Sequence, residues 1–119
     1  MRKKILVVDD EREIVEFLSS FLRRREVSVY ISTSGKDALT VFSQRKPDVV
    51  FLDVNLGDID GFSILEKMKK MDENTKVIMI TAKGDKISIT KAKKLGAMDY
   101  LVKPLDLEEL YSKLSLYLK

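Results

Sequence analysis

Three observations predict an α/β fold: a five-stranded parallel sheet of order 2-1-3-4-5, doubly wound, with five helices. Five apolar runs of strand length, rich in β-branched residues, recur along the 119 residues. Most of the runs are apolar at consecutive rather than alternate residues, Ser28 and Asp99 being the polar exceptions. Between the runs the apolar spacing is helical. A strand apolar on both sides needs cover on both faces, which a parallel sheet between two layers of helices supplies. Right-handed crossovers leave few topologies, and this order is the natural one for five βα units.

The first run is Ile5 to Val8. Ile14, Leu18, Phe21 and Leu22 come after it at i, i+4, i+7 and i+8, one face of a helix, and Asp10 with Glu13 has the spacing of a capping box at its start. The second run is Val27 to Ile31, after which Ser34 and Asp37 repeat the capping spacing. Val49 to Leu52 is the third, followed by Asp60 as cap for a helix that carries Ile64, Leu65 and Met68. The fourth, Val77 to Ile80, leads to a helix that Gly96 can end. The fifth, Met98 to Val102, precedes a final helix in Leu105 to Lys119, with Asp106 and Glu109 at its start and Leu107, Leu110, Tyr111 and Leu114 expected on its inner face. No linker, low-complexity stretch or repeat interrupts the series, so residues 1–119 read as one domain.

Composition narrows the chemistry. With 45% hydrophobic and 34% charged residues the chain can bury a single core. No apolar run is long enough to cross a bilayer and the start lacks a leader-like cleavage site, so a cytoplasmic location and no membrane contact are expected. Zero Cys rules out disulfides and thiolate metal sites, and zero His removes imidazole as base or ligand. The net charge of +3 could attract nucleic acid. However, the lysines at 67, 69, 70, 83, 86, 91, 93 and 94 are spread among acids on helix-like segments without interleaved aromatics, so no direct nucleic-acid contact is expected.

Ligands of open α/β sheets bind beyond the carboxyl ends of the strands. There the chain places Asp9-Asp10, Asp53, Thr81 and Lys103-Pro104, while the second strand ends in the uncharged Ser32-Thr33-Ser34. Converging carboxylates repel one another unless a cation neutralises them, and Mg2+ is the hard divalent ion that uses one or two carboxylates plus phosphate oxygens. A carboxylate can also attack phosphorus to form an acyl phosphate, with a lysine and a hydroxyl completing an electrostatic clamp. Taken singly, each residue has a plainer reading. Asp10 could be a helix cap, Asp53 a solvated turn, Thr81 a strand end, Lys103 a surface cation and Tyr100 a core aromatic. Their coincidence at the strand ends of one sheet favours a site.

Val7-Val8-Asp9-Asp10-Glu11, Asp53-Val54-Asn55, Asp60-Gly61, Thr81-Ala82 and Tyr100-Leu101-Val102-Lys103-Pro104, in this order and spacing, resemble the receiver domain of bacterial two-component response regulators. The resemblance covers essentially the whole chain. It implies a phosphorylation-dependent signalling switch, not an enzyme in the usual sense, that catalyses its own phosphoryl transfer and dephosphorylation. Asp53 would be the phosphoryl acceptor. Asp10 and Asp53 would bind Mg2+ directly, Asp9 through a water, and Asn55 through its backbone carbonyl. Lys103 and the Thr81 hydroxyl would each hold a phosphoryl oxygen, Lys103-Pro104 would be a cis peptide, and Tyr100 would be a rotameric switch turning inward as Thr81 moves.

The resemblance also implies partners. The phosphoryl group would come from a histidine kinase or a histidine phosphotransfer protein docking near Ile14, Val15 and Leu18. Output would pass through the surface from Lys83 to Lys119, to a downstream protein or an output domain outside this chain. There are departures from the pattern. Gly57 stands where the family usually has proline, which predicts a looser loop from Leu56 to Asp60. The last helix has no arginine, unlike receivers that dimerise through charged pairs on their fourth helix, fifth strand and fifth helix. Asn55 and Lys83 occupy positions that tune dephosphorylation in the family.

Three rivals weigh less. A phosphohydrolase of the haloacid dehalogenase type commonly carries a second Asp two residues after its nucleophile, where this chain has Asn55. A cofactor binder of the flavodoxin-like order would need an anion nest where Asp9-Asp10-Glu11 would repel a flavin phosphate. A receiver acting without phosphorylation would have little use for the intact acceptor set.

Overall fold

The computed structural model describes residues 2–82 and 84–119. Five strands form one sheet: β1 (Lys3–Val8), β2 (Val27–Ser32), β3 (Val49–Asp53), β4 (Lys76–Thr81) and β5 (Asp99–Val102). All pairings are parallel and the order is β2-β1-β3-β4-β5, as the sequence predicts. The helices are α1 (Arg12–Arg23), α2 (Gly35–Arg45), α3 (Gly61–Met71), α4 (Lys86–Lys94) and α5 (Leu107–Tyr117).

Strand residues alternate between two cores. Ile5, Val7, Val49, Phe51, Ile78 and Ile80 face a cluster closed by α1 and α5 through Leu18, Phe21, Leu22, Leu110, Leu114 and Tyr117. Leu6, Val8, Val50, Leu52, Val77 and Met79 face the other, closed by α2, α3 and α4 through Ala38, Phe42, Ile64, Leu65, Met68 and Ala92. Period-two alternation with apolar residues at every position is what a sheet covered on both sides requires. Each fully buried aliphatic contributes roughly 1.5–3 kcal/mol. The strands therefore form a stiff platform, and their carboxyl ends lie together: Val8 pairs with both Ser32 and Leu52, Asp53 with Ile80, and Thr81 with Val102.

Four of the five helix starts are capped by their own side chains. Ser34 accepts from Asp37 N, Asp60 from Phe62 N, Asp85 from Ser88 N and Asp106 from Glu108 N. At α1 the expected Asp10–Glu13 box does not form. The N-cap is Glu11, without a side-chain cap bond, and the Glu11 N–H donates to Asp9 Oδ1 at 2.8 Å. Gly96, at φ 101°, comes just after the end of α4 as predicted.

Three further expectations change. Met98 lies outside β5. On α5, Leu107 and Tyr111 are exposed, and the inner face is Leu110, Leu114 and Tyr117. In α1, Val15 and Leu18 are buried and cannot offer a docking surface, because the core consumes them; Ile14 is half-buried.

The loop from Leu56 to Asp60 is pinned despite lacking proline. Asp58 accepts from Gly35 N at 2.9 Å and Lys36 N at 3.0 Å, tying the loop to the start of α2. Leu56 is buried, and Asn55 bridges to Asp60. Gly57 sits at φ 87°, a conformation closed to proline, whose ring fixes φ near −65°.

Candidate functional site

Asp9 comes directly after β1, Asp53 ends β3, Thr81 ends β4, and Lys103 comes directly after β5. Parallel pairing delivers these four side chains to one edge. Asp9, Asp53 and Thr81 are buried, while Asp10, one residue further out, is exposed. One carboxylate oxygen from each of Asp9, Asp10 and Asp53 lies within 4.8 Å of the others.

Lys103 answers these acids. Its Nζ lies 2.7 Å from Glu11 Oε1, 3.0 Å from Asp9 Oδ2 and 3.6 Å from Asp53 Oδ1. The Lys103–Pro104 peptide is cis, and Lys103 N donates to Thr81 O at 2.7 Å. Burial pushes the Asp53 carboxyl up to about 6, with the Asp9 charge adding to the rise and Lys103 opposing it. Asp9 is raised as well, again chiefly by burial, against the bond from Glu11 N and the nearby Lys103 ammonium. Burial works against the charge on Lys103, but its contacts with Glu11 and Asp9 and the Asp53 charge outweigh it and raise its pKa.

A site that holds carboxylates at this cost is short of positive charge. Asp9 Oδ2 is fully buried, and its close partner among the described residues is the Lys103 ammonium at 3.0 Å, an ion pair without well-directed hydrogen-bond geometry. Three oxygens so spaced, two of them from buried groups, fit a hard divalent cation that keeps several waters. Asn55, exposed two residues past Asp53, stands at the mouth of the same loop.

The neighbouring side chains link the site to the surface. Tyr100 is buried with its ring inward, and its hydroxyl shares hydrogen bonds with Thr81 and Ser88; burial raises its pKa. One side chain thus connects β5, the end of β4 and the first turn of α4. At the acceptor strand Gly61 is indispensable for space, since a Cβ there would lie 2.5 Å from Asp53 O and 2.7 Å from the Val54 backbone. Its N–H donates to Val54 O at 2.9 Å.

The family profile described as the response regulator receiver domain matches residues 5–115. The chain belongs to the response regulator receiver family. As a receiver it is a phosphorylation-dependent signalling domain of two-component systems. Among its relatives is the sporulation initiation phosphotransferase F of Bacillus subtilis, 36% identical over 118 residues, which cover 99% of this chain and 95% of that one. The regulatory protein AtoC of Escherichia coli is 35% identical over 107 residues, 90% of this receiver but only 23% of AtoC. Among solved structures, the BeF3-activated receiver domain of DrrB, a Thermotoga maritima protein, superposes with a TM-score of 0.91 at 34% identity, covering 99% and 98% of the two chains. Receivers bind Mg2+ at an acidic pocket, and Asp9, Asp10 and Asp53 form an acidic cluster here. Receivers also act with histidine kinases or phosphotransfer proteins and with output domains. No helix among the described residues is long and apolar enough to cross a membrane.

Sequence reading found the cluster but missed two partner side chains, one at Lys103 and one at Tyr100. Glu11 makes the shortest contact to Lys103, and the signal was its place directly after Asp9-Asp10. Ser88 partners Tyr100, and nothing in its helical sequence context marks it. Lys83 lies outside the described residues, so the tuning position assigned to it has no structural counterpart here.

Proposed function

We propose that this receiver, residues 1–119 forming one domain, takes a phosphoryl group onto Asp53 from the phosphohistidine of a kinase or phosphotransfer protein. The observation that carries the reading is the convergence of three carboxylates within 4.8 Å, with the Lys103 ammonium 3.6 Å from Asp53. An Asp53 oxygen forms the new bond to phosphorus as the bond from phosphorus to the donor imidazole nitrogen breaks, and the imidazole leaves with the electron pair. Asp10 and Asp53 would hold Mg2+ directly, Asp9 through a water, and Asn55 through its carbonyl. The ion supplies charge neutralisation for the transferring group. Lys103 and the Thr81 hydroxyl each take a phosphoryl oxygen. Self-catalysed hydrolysis resets the domain.

Tyr100 carries the change outward. Its hydroxyl already contacts Thr81 and Ser88, so a shift of Thr81 toward a phosphoryl oxygen alters the contact between β5 and α4. Output then runs through α4, β5 and α5 to a downstream protein or output domain, in the cytoplasm and without direct nucleic-acid contact by this domain. The donor docks at the outer end of α1 beside Ile14, the half-buried member of the expected trio.

Intact-mass spectrometry after incubation with acetyl phosphate tests the acceptor. A single Mg2+-dependent phosphoryl adduct, absent in Asp53→Asn, is expected. No adduct on folded wild type would overturn the reading in favour of a phosphorylation-independent binding module. In the same assay Ile14→Lys should keep acetyl phosphate labelling and lose labelling by the cognate kinase; unchanged kinase labelling would rule out that docking site.

A further inference from the structure

The outer face of α1, beside the donor-docking position at Ile14, carries a stripe that takes no part in the phosphoryl chemistry itself. Glu13, Phe17, Ser20 and Arg24 are exposed and spaced 4, 3 and 4 residues apart, the spacing of a coiled-coil seam. With α5 they line an open groove of about 1450 Å³. Its walls hold a concentration of exposed apolar side chains: Phe17 at 37%, Leu107 at 53% and Tyr111 at 71%.

We infer that this face pairs with a second copy of the chain, α1 against α1 in antiparallel fashion about a two-fold axis. The order of the charges selects that arrangement. In an antiparallel pair, residues whose numbers have a constant sum face each other. Centring the axis between Phe17 and Ser20 sets Phe17 over Ser20 of the second copy and Glu13 over its Arg24. The two-fold repeats both contacts. The seam is thus self-complementary, which is the condition for an isologous interface. A large ring meets a small side chain at the centre, and acid meets base at each end.

The remaining charges do not spoil this register. Arg25 is held on its own chain, its guanidinium 3.9 Å above the Phe21 ring and donating to Phe21 O. Arg12 pairs with Glu16 at 3.1 Å. Glu13 and Arg24 have no ion-pair partner among the described residues; the one ion pair within α1 is Arg12–Glu16. The exposed Leu107 and Tyr111 flank the seam and would be covered by the second copy. This pairing uses the α1/α5 layer; it leaves α4 and its switch contacts open, borders the output surface at α5, and does not depend on which residue accepts the phosphoryl group.

Charge exchange tests it. Glu13→Arg and Arg24→Glu both alter exposed helix positions, and unchanged circular dichroism melts would confirm folding. Sedimentation equilibrium at low salt, from micromolar to millimolar chain, should show wild type in monomer–dimer exchange. Each single variant sets like charges opposite and should weaken self-association at least about tenfold. An equimolar mixture of the two restores opposite charges at both ends and should recover the dimer, as should the double variant. Three results would overturn the proposal: a monomeric wild type, leaving the groove to a different protein; association insensitive to either variant; or no recovery on mixing.

Discussion

At the residue scale, Asp53 is held against its own ionisation, which gives its contribution to stability a definite sign. Its folded pKa of about 6 lies above its ordinary value of 3.8, so the folded state binds this proton the more tightly. Well below pH 3.8 both states are protonated and nothing is lost. Stability falls as pH rises toward 6, where the unfolded chain ionises first, and the full cost stands above that. Asp53→Asn should therefore stabilise the metal-free domain at pH 7 by on the order of 2 kcal/mol and have a much smaller effect at pH 4. Urea denaturation at the two pH values decides this; equal effects at both would show that burial does not strain the carboxylate. The site residues were legible in the sequence because position on a parallel sheet fixes them: the residue after an apolar run must emerge at the carboxyl edge. The Glu11 to Lys103 contact was not, since it joins side chains 92 residues apart through a geometry that only the assembled edge provides.

At the element scale, α3 begins against the acceptor strand, and Gly61 permits that approach. Gly61→Ala should cost roughly 1–3 kcal/mol by overpacking, because the atoms it meets are backbone and cannot turn aside. Gly57→Ala, which adds a Cβ into open space at φ 87°, should cost about 1 kcal/mol through backbone strain alone. Thermal melts of the pair give the order, and a milder Gly61→Ala would mean that α3 slides away readily. The five strands were readable because both faces are buried; their ends were less so, since Lys3, Ser32, Lys76 and Thr81 extend the ladder by backbone bonds that apolar patterning does not register. On α5, the sequence Leu107 to Tyr117 carries apolar residues nearly all round, so two stripes fitted and packing chose Leu110, Leu114 and Tyr117. The Asp10 cap failed for a similar reason. The Asp9 carboxylate reaches the Glu11 N–H first, and spacing alone cannot rank two neighbouring acids.

At the scale of the whole molecule, a part-buried polar cluster helps fasten the last helix to the sheet. The Tyr117 hydroxyl donates to Asp99, which also meets Lys113 at 3.3 Å and accepts from Tyr100 N at 2.8 Å. Burial pushes Asp99 up, but these bonds and the lysine charge outweigh it, leaving its pKa below the ordinary value. Tyr117→Phe should cost about 1–2 kcal/mol at pH 7, the worth of a buried hydrogen bond to a charged acceptor. The loss should shrink in acid, because a depressed carboxyl gives stability that is present above its unfolded pKa and disappears as pH falls through the folded one. Chemical denaturation at pH 7 and pH 3 checks both statements, and a pH-independent cost would assign the effect to packing. At the opposite end of the sheet lies the acidic edge, where, among the described residues, Asp9, Glu11 and Asp53 pair only with Lys103 and Asp10 stands beside them. On the proposed chemistry such an edge is a coincidence detector. Phosphoryl donor without divalent cation meets a repelling surface, and cation without donor leaves the switch unthrown, so the domain reports the joint presence of the two and inherits the ionic composition of its surroundings as a second input.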